Sequence, residues 1–321
     1  MEYSVTNMFA EKMTENVYVK AFAQGAEMEQ REIPPLVSVL LASYNHEKYV
    51  EAAIRSIMAQ KGVSFELIVI DDGSTDSSPQ IIERLQKEFG FKFVHRENKG
   101  LIRTMNELLS MACGKYFCSF ASDDMMPPDR LQKQSAYMER HPDKPICFGQ
   151  IVKMDADGNL SDTMDPRYLS AVPEVSFEDI FLGKKELNGC SEMIRCEVFR
   201  EMGGYNENLP IEDFQMMLAF LSKYSPLPVL KVVCNYYRIH GTNISKNQNW
   251  LYENTIKALD CYSNHPLYHK AVKIWKSNWF SALCYSDKKE ALRRIPDVYS
   301  FSTAFFRRFP KLFIPRFMLK R

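Results

Sequence analysis

An α/β fold with a mostly parallel, open sheet is what this sequence predicts, and three observations lead there. Short, nearly all-apolar runs recur, as in strands covered on both faces by helices. Between them lie longer segments whose apolar residues return every three or four positions, the mark of helices that bury one face. The runs stop at polar clusters, residues 43–45, 71–76 and 122–124. In open parallel sheets, ligands gather at the carboxyl ends of the strands.

The elements follow in order. Residues 1–33 carry no sustained pattern and are read as an N-terminal extension, closed by Ile33-Pro34-Pro35. Leu36 to Leu41 is the first buried strand. After Ser43-Tyr44-Asn45, a helix is marked by Val50, Ala53, Ile54, Ile57 and Met58. Phe65 to Ile70 is the second strand and runs into Asp71-Asp72-Gly73-Ser74. Ser78-Pro79 opens the next helix, with a capping residue and a proline in the first turn; Ile81, Ile82, Leu85 and Phe89 form its apolar face. A third strand covers Phe91 to Val94, a third helix Leu101 to Met111, and a fourth strand Lys115 to Ala121. Strand–helix–strand repetition with short links makes an open parallel sheet. Residues 34–248 are read as one α/β domain, and residues 249–321 as a helical C-terminal extension.

Composition narrows the function. With 45% hydrophobic and 25% charged residues among 321, the chain is ordinary for a globular protein. A net charge of +1 gives no footprint for nucleic acid. The eight cysteines include no C-x-x-C pair, so no zinc or redox motif is expected, and free buried thiols fit a reducing compartment. Met1 to Glu32 has no apolar core of a signal peptide, and no uncharged run approaches the ~18 residues of a membrane span. The expectation is a cytoplasmic protein. The first strand–helix turn, Ala42 to Glu47, has no glycine, and no G-x-x-x-x-G-K-[ST] string exists. Dinucleotide-binding dehydrogenases and P-loop enzymes are therefore poor candidates.

Other chemistry is available at the strand ends. Tyr44 offers a ring and Asp72 an acceptor, a pair suited to a pyrimidine-like base; Asp71 and Asp72 could equally cap a turn. Asp123-Asp124 puts two carboxylates side by side, tolerable when a cation sits between them and a phosphate; a helix start is the plainer alternative. Glu212-Asp213 precedes an apolar helix, where a carboxylate could take the proton of an attacking hydroxyl or merely favour the helix dipole. Arg238 and His240, two apart, face one side of an extended segment and suit a diphosphate or its metal.

In this order and at these spacings the clusters resemble glycosyltransferase family 2, inverting enzymes of the GT-A fold. The resemblance runs from about Leu36 to Ser245 through Val37 to Asn45, Glu66 to Asp76, Asn98-Lys99-Gly100 to Asn106, Gly114 to Asp124, Glu212-Asp213, and Tyr237 to His240. It implies transfer of a sugar from a nucleotide-diphosphate sugar, most simply a UDP-sugar, to an acceptor hydroxyl. Ser43, Tyr44 and Asp72 would hold the nucleotide, Asp123 the ribose or donor sugar, and Asp124 a Mn²⁺ or Mg²⁺ on the diphosphate. Asp213 would be the catalytic base, and Arg238 with His240 would close over the diphosphate. Three positions depart from the pattern. Ala42 replaces the usual proline or threonine. Met105 stands before Asn106 where an arginine is common, leaving Arg103 as the donor-site candidate. Ser122-Asp123-Asp124 replaces a spaced D-x-D and leaves open which carboxylate ligates directly.

Leu187 to Arg195 resembles the stretch that lines the acceptor side, and Asp155 to Phe181 reads as a mobile connection. The tail from Phe301 to Arg321 mixes phenylalanines with Arg307, Arg308, Lys311, Arg316, Lys320 and Arg321. It could lie on an anionic membrane or pack on the domain with its charges in water. The resemblance implies a saccharide or lipid-linked saccharide acceptor in bacterial surface polysaccharide or lipopolysaccharide assembly. Two rivals remain: a nucleotidyltransferase, which lacks its glycine-rich basic loop here, and a catalytically silent sugar-nucleotide-binding homologue.

Overall fold

The computed structural model describes residues 34–161, 174–241, 243–298 and 309–314. The 1–33 extension and most of the basic aromatic tail lie outside the described residues.

The expected alternation is present as β1 (Val37–Ser43), α1 (Val50–Met58), β2 (Phe65–Asp71), α2 (Ser78–Phe89), β3 (Lys92–His95), α3 (Leu101–Met111) and β4 (Tyr116–Ala121). Then follow α4 (Arg130–Arg140), β5 (Ile146–Met154), β6 (Glu174–Val175), α5 (Phe177–Phe181), β7 (Met193–Arg195), α6 (Cys196–Glu201), α7 (Glu212–Tyr224) and β8 (Leu227–Arg238). The strands form one eight-stranded sheet in the order β3-β2-β1-β4-β7-β5-β8-β6. The β3, β2, β1 and β4 neighbours are parallel, as are β5 and β8. The short β7 is antiparallel to both β4 and β5, and β6 is antiparallel to β8. Six strands therefore run one way, and Ser43, Asp71, Ala121 and Arg238 all fall at their carboxyl ends.

Alternation along the strands builds a core on each face. Leu40, Ile68, Ile70 and Phe117 point to one side and meet Ile102, Met105 and Leu108 of α3 and Phe214, Met217 and Leu221 of α7. Val39, Leu41, Leu67 and Val69 point to the other and meet Ile54 and Ile57 of α1, Ile82 and Leu85 of α2, and Leu131 and Met138 of α4.

The C-terminal region is helical as expected: α8 (Gln248–Asp260), α9 (Tyr268–Ser286), α10 (Lys288–Arg293) and α11 (Ile295–Val298). Its first two helices share the core of the α7 face, through Ala258, Leu259 and Ala271. Trp275 of α9 donates its indole N–H to the Phe181 carbonyl at 2.9 Å and meets the Phe214 ring edge-on at 5.2 Å. One expectation needs revision. Part of the Asp155–Phe181 connection is regular, because Ser176 and Asp179 form a capping box that starts α5, and β6 pairs with β8.

Candidate active site

The loops after β1 and β2 interlock. Asn45 takes a left-handed φ of 54°, which asparagine tolerates better than most residues. Its amide N–H donates to Ser74 Oγ at 2.8 Å, and its Oδ1 accepts from the Thr75 N–H at 2.8 Å. Asp71 is fully buried and caps this turn, accepting from the Ser74 N–H at 2.9 Å. Asp72 does something else. Its Oδ1 accepts from the Arg96 guanidinium and from the Lys99 N–H at 2.8 Å, and its Oδ2 accepts from the Gly100 N–H at 2.9 Å. The carboxylate thus sits at the N-terminus of α3, with a lone pair of Oδ2 still open. Between the two acids, Gly73 is required: its φ is +79°, and a Cβ there would lie 2.7 Å from the Asn98 nitrogen. Tyr44 is 49% exposed beside this loop, so its ring is free to stack. The Ser43 hydroxyl is buried with no hydrogen-bond partner.

Asp123 and Asp124 diverge. Asp124 is 1% exposed, and its oxygens accept from Asn235 Nδ2 at 2.6 Å and from the Arg238 N–H at 2.8 Å. Burial, then the Asp123 carboxylate, push its carboxyl up to about 7. Asp123 turns the other way, and its Oδ2 lies 2.7 Å from His240 Nε2. Arg238, also buried, donates Nε to the Asp123 carbonyl at 2.7 Å and Nη1 to the Ala156 carbonyl at 2.9 Å, with its guanidinium over the Tyr49 ring. Arg238 and His240 therefore do face one side, as their spacing implies, and both meet Asp123.

Among the described residues, His46, Asp123 and His240 form the group able to hold a metal ion, with one ligand atom from each lying within 4.8 Å of the others. Asp124, the expected ligand, is not in that group; both its oxygens accept hydrogen bonds from β8. Two imidazoles and a carboxylate fit a divalent ion.

Asp213 starts α7, and its Oδ1 accepts from the next backbone N–H, of Phe214, at 2.6 Å. It packs on Gly189 of the 3₁₀ turn Gly189–Ser191. The neighbouring Cys190 lies beside Asn235 and Asp124, so Asp213 and Asp124 share this turn as a common neighbour. Burial pushes the Asp213 carboxyl above the usual carboxylate range. Burial and Asp213 together push Glu212 up to about 8. Beneath them Glu192, fully buried, accepts from the Ser119 N–H at 2.7 Å and is pushed up to about 7 by burial, which outweighs the Arg130 guanidinium.

Arg103 stands apart from these groups, exposed on α3 and paired with Glu207 at 3.0 Å. Asn106, in the same helix, clamps Tyr205 by accepting from its N–H and donating to its carbonyl, each at 2.9 Å. Sequence reasoning missed His46, Asn235 and Glu192. His46 sits directly after the Ser-Tyr-Asn string, a signal that could have raised it; Glu192 lies inside the Leu187–Arg195 stretch without having been singled out, and Asn235, within a strand, gave none.

Known structures share this architecture. The chain superimposes on S. aureus TarS 1-349 in complex with UDP-GlcNAc with a TM-score of 0.60 at 20% identity, over 86% of this chain and 78% of that one. It superimposes on the mannosyltransferase PcManGT from Pyrobaculum calidifontis, in complex with GDP-Man and Mn²⁺, with a TM-score of 0.58 at 17% identity, over 87% and 80%. The fold is that of the GT-A glycosyltransferases. The chain belongs to glycosyl transferase family 2, whose pattern matches residues 38–203. An uncharacterized glycosyltransferase of Methanocaldococcus jannaschii is 27% identical over 263 residues, 78% of this chain and 88% of the relative. The putative glycosyltransferase EpsE of Bacillus subtilis is 30% identical over 195 residues, 59% of this chain and 68% of the relative. Against an uncharacterized glycosyltransferase of Rickettsia felis, 27% identical over 66% of this chain, the match spans 35% of the relative's length.

Proposed function

We propose that the chain is an inverting, metal-dependent transferase that moves a hexosyl or N-acetylhexosaminyl group from a nucleotide-diphosphate sugar to an acceptor hydroxyl. The observation that carries the reading is the convergence of Asp123, His240 and His46 at the carboxyl ends of the strands, with Asp213 at the start of α7 packed on the nearby 3₁₀ turn. The exposed Tyr44 ring would stack on the base while the open lone pair of Asp72 Oδ2 accepts its N–H. Ser43 has an unpartnered hydroxyl to offer the donor. Arg103 would have to leave Glu207 to reach it. A UDP donor is favoured by the stacked-ring and carboxylate pair and by the TarS complex with UDP-GlcNAc.

In the reaction, Asp213 takes the proton of the acceptor hydroxyl, the oxygen attacks the anomeric carbon, and the bond to the diphosphate breaks on the opposite face. That single displacement inverts the anomeric centre. Asp123, His240 and His46 would hold the divalent ion, Mn²⁺ or Mg²⁺, whose Lewis acidity stabilises the charge growing on the leaving diphosphate. Arg238, fixed by the Asp123 carbonyl, would keep that carboxylate aimed.

For the acceptor we propose a saccharide or lipid-linked saccharide of a bacterial surface polymer. None of the described helices is long and apolar enough to cross a membrane. A peripheral contact is supported by Phe313, 67% exposed beside Lys311. The deciding experiment is donor hydrolysis by the purified protein over a panel of nucleotide sugars with Mn²⁺, Mg²⁺ or chelator. Metal-dependent release of a nucleoside diphosphate from one donor supports the reading. If there is no release and no nucleotide binding by calorimetry, it fails.

A further inference from the structure

His46 lies outside every motif that led to the donor site, yet the fold delivers it there. The left-handed Asn45 turns the chain at the end of β1, and the His46 N–H is tied to Ser78 Oγ at 3.0 Å. Its ring is held from a second side by Ser122 Oγ, 2.7 Å from Nδ1. The ring meets His240 edge-on at 5.8 Å, and Tyr49 packs against both imidazoles. A histidine fixed at its backbone and its ring, part-buried and facing a second histidine and a carboxylate, is preorganised.

The spacing is near that of ligands around one ion, its outer limit slightly wider. Six-coordinate donors at about 2.1 Å lie roughly 3 Å apart when adjacent and roughly 4.2 Å apart when opposite. The His240–Asp123 pair is 2.7 Å apart, and the whole set falls within 4.8 Å. On a six-coordinate ion, three protein donors would leave positions open for the diphosphate and water. Mg²⁺ keeps oxygen ligands and gives up its water reluctantly, whereas imidazole nitrogen suits first-row transition ions.

We infer that His46 is a direct ligand of the donor-site cation, and that the two imidazoles make this protein select a transition ion such as Mn²⁺ over Mg²⁺. The inference rests on the transferase reading and deepens it, since one donor set serves both.

The test counts nitrogens. Chelator-stripped protein is loaded with Mn²⁺ and UDP, and pulsed electron paramagnetic resonance measures ¹⁴N coupling to the ion. Two imidazole nitrogens are expected in the wild type and one in His46→Ala. Titration of the free-Mn²⁺ signal should show binding about ten-fold or more weaker in that variant. About a ten-fold excess of Mg²⁺ should leave most Mn²⁺ on the wild type. The wild-type count needs no variant, so a misfolded His46→Ala cannot obscure the answer. A single nitrogen with UDP bound overturns the inference and leaves the transferase reading standing. Absence of both UDP and nitrogen coupling overturns both, and displacement of Mn²⁺ by equimolar Mg²⁺ overturns the selectivity.

Discussion

Gly189 and Asp213 touch so closely that a Cβ on the glycine would lie 2.2 Å from the aspartate's own Cβ. The glycine's φ is not positive, so no backbone strain explains it; the need is for space. Gly189→Ala should therefore push the Asp213 carboxyl, the proposed base, out of line, at a cost of about 1–3 kcal/mol in stability from overpacking. Sugar transfer is expected to fall roughly a hundredfold while UDP binding persists, because a small misplacement at a reacting group is enough. Transfer and calorimetric UDP binding, measured together, check this; unimpaired transfer by the variant would remove Asp213 from the reaction.

Adjacent aspartates should behave differently. Asp124→Ala strands the Asn235 amide and the Arg238 N–H in the protein interior, so denaturant unfolding should show a loss of about 1–3 kcal/mol per orphaned donor. Asp123→Ala removes the carboxylate from one buried partner, His240, and should lose Mn²⁺ affinity with a smaller loss of stability, since one buried group rather than two is stranded. The reverse ordering would return the ligand role to Asp124.

Activity should depend on pH through Asp213. A base must be deprotonated to accept a proton, and burial holds this carboxyl above its ordinary range. The rate of transfer should then rise with pH through a limb lying above about 4, where a solvated aspartate would already be ionised. A profile flat down to that pH would contradict the assignment.

Stability should carry a second pH signature, from Glu192. Its carboxyl ionises near 4.5 when unfolded and is pushed up to about 7 by burial in the fold. Between those values the folded chain holds a proton that the unfolded chain has released. The contribution is fully present below about 4.5 and is lost as pH rises to about 7, on the order of 3 kcal/mol at most. Glu192→Gln, which can keep the Ser119 hydrogen bond, should flatten the fall in melting temperature between pH 5 and about 8. Equal slopes for the two proteins would refute it.

How much of this was written in the chain can be judged element by element. The run from Leu36 to Ala121 was legible because parallel strands covered on both faces leave continuous apolar runs, and short links between them carry the polar clusters. The three-residue β7 was not, since so short a strand has no period of its own and exists only because β4 and β5 flank it. Asp71 and Asp72 offered two readings, turn cap and ligand acceptor; Asp71 is the cap, and Asp72 receives the start of α3. Asp123 and Asp124 could not be told apart, because they sit in the turn after β4, where the two side chains diverge, and identical residues give no hint which of them faces the site. His46 and His240 are far apart in sequence, and only the sheet order brings the ends of β1 and β8 to the same carboxylate.

Trp275 gives the C-terminal helices a mechanical meaning. Its ring leans on Phe214, one residue from Asp213, and its indole N–H is hooked to the carbonyl of Phe181. The helix bearing the proposed base is thus braced from behind by a beam that belongs to the last quarter of the chain. Severing the chain at residue 248 would pull that beam away, and a load applied to the far end of α9 would be felt as play in the position of a single carboxyl group.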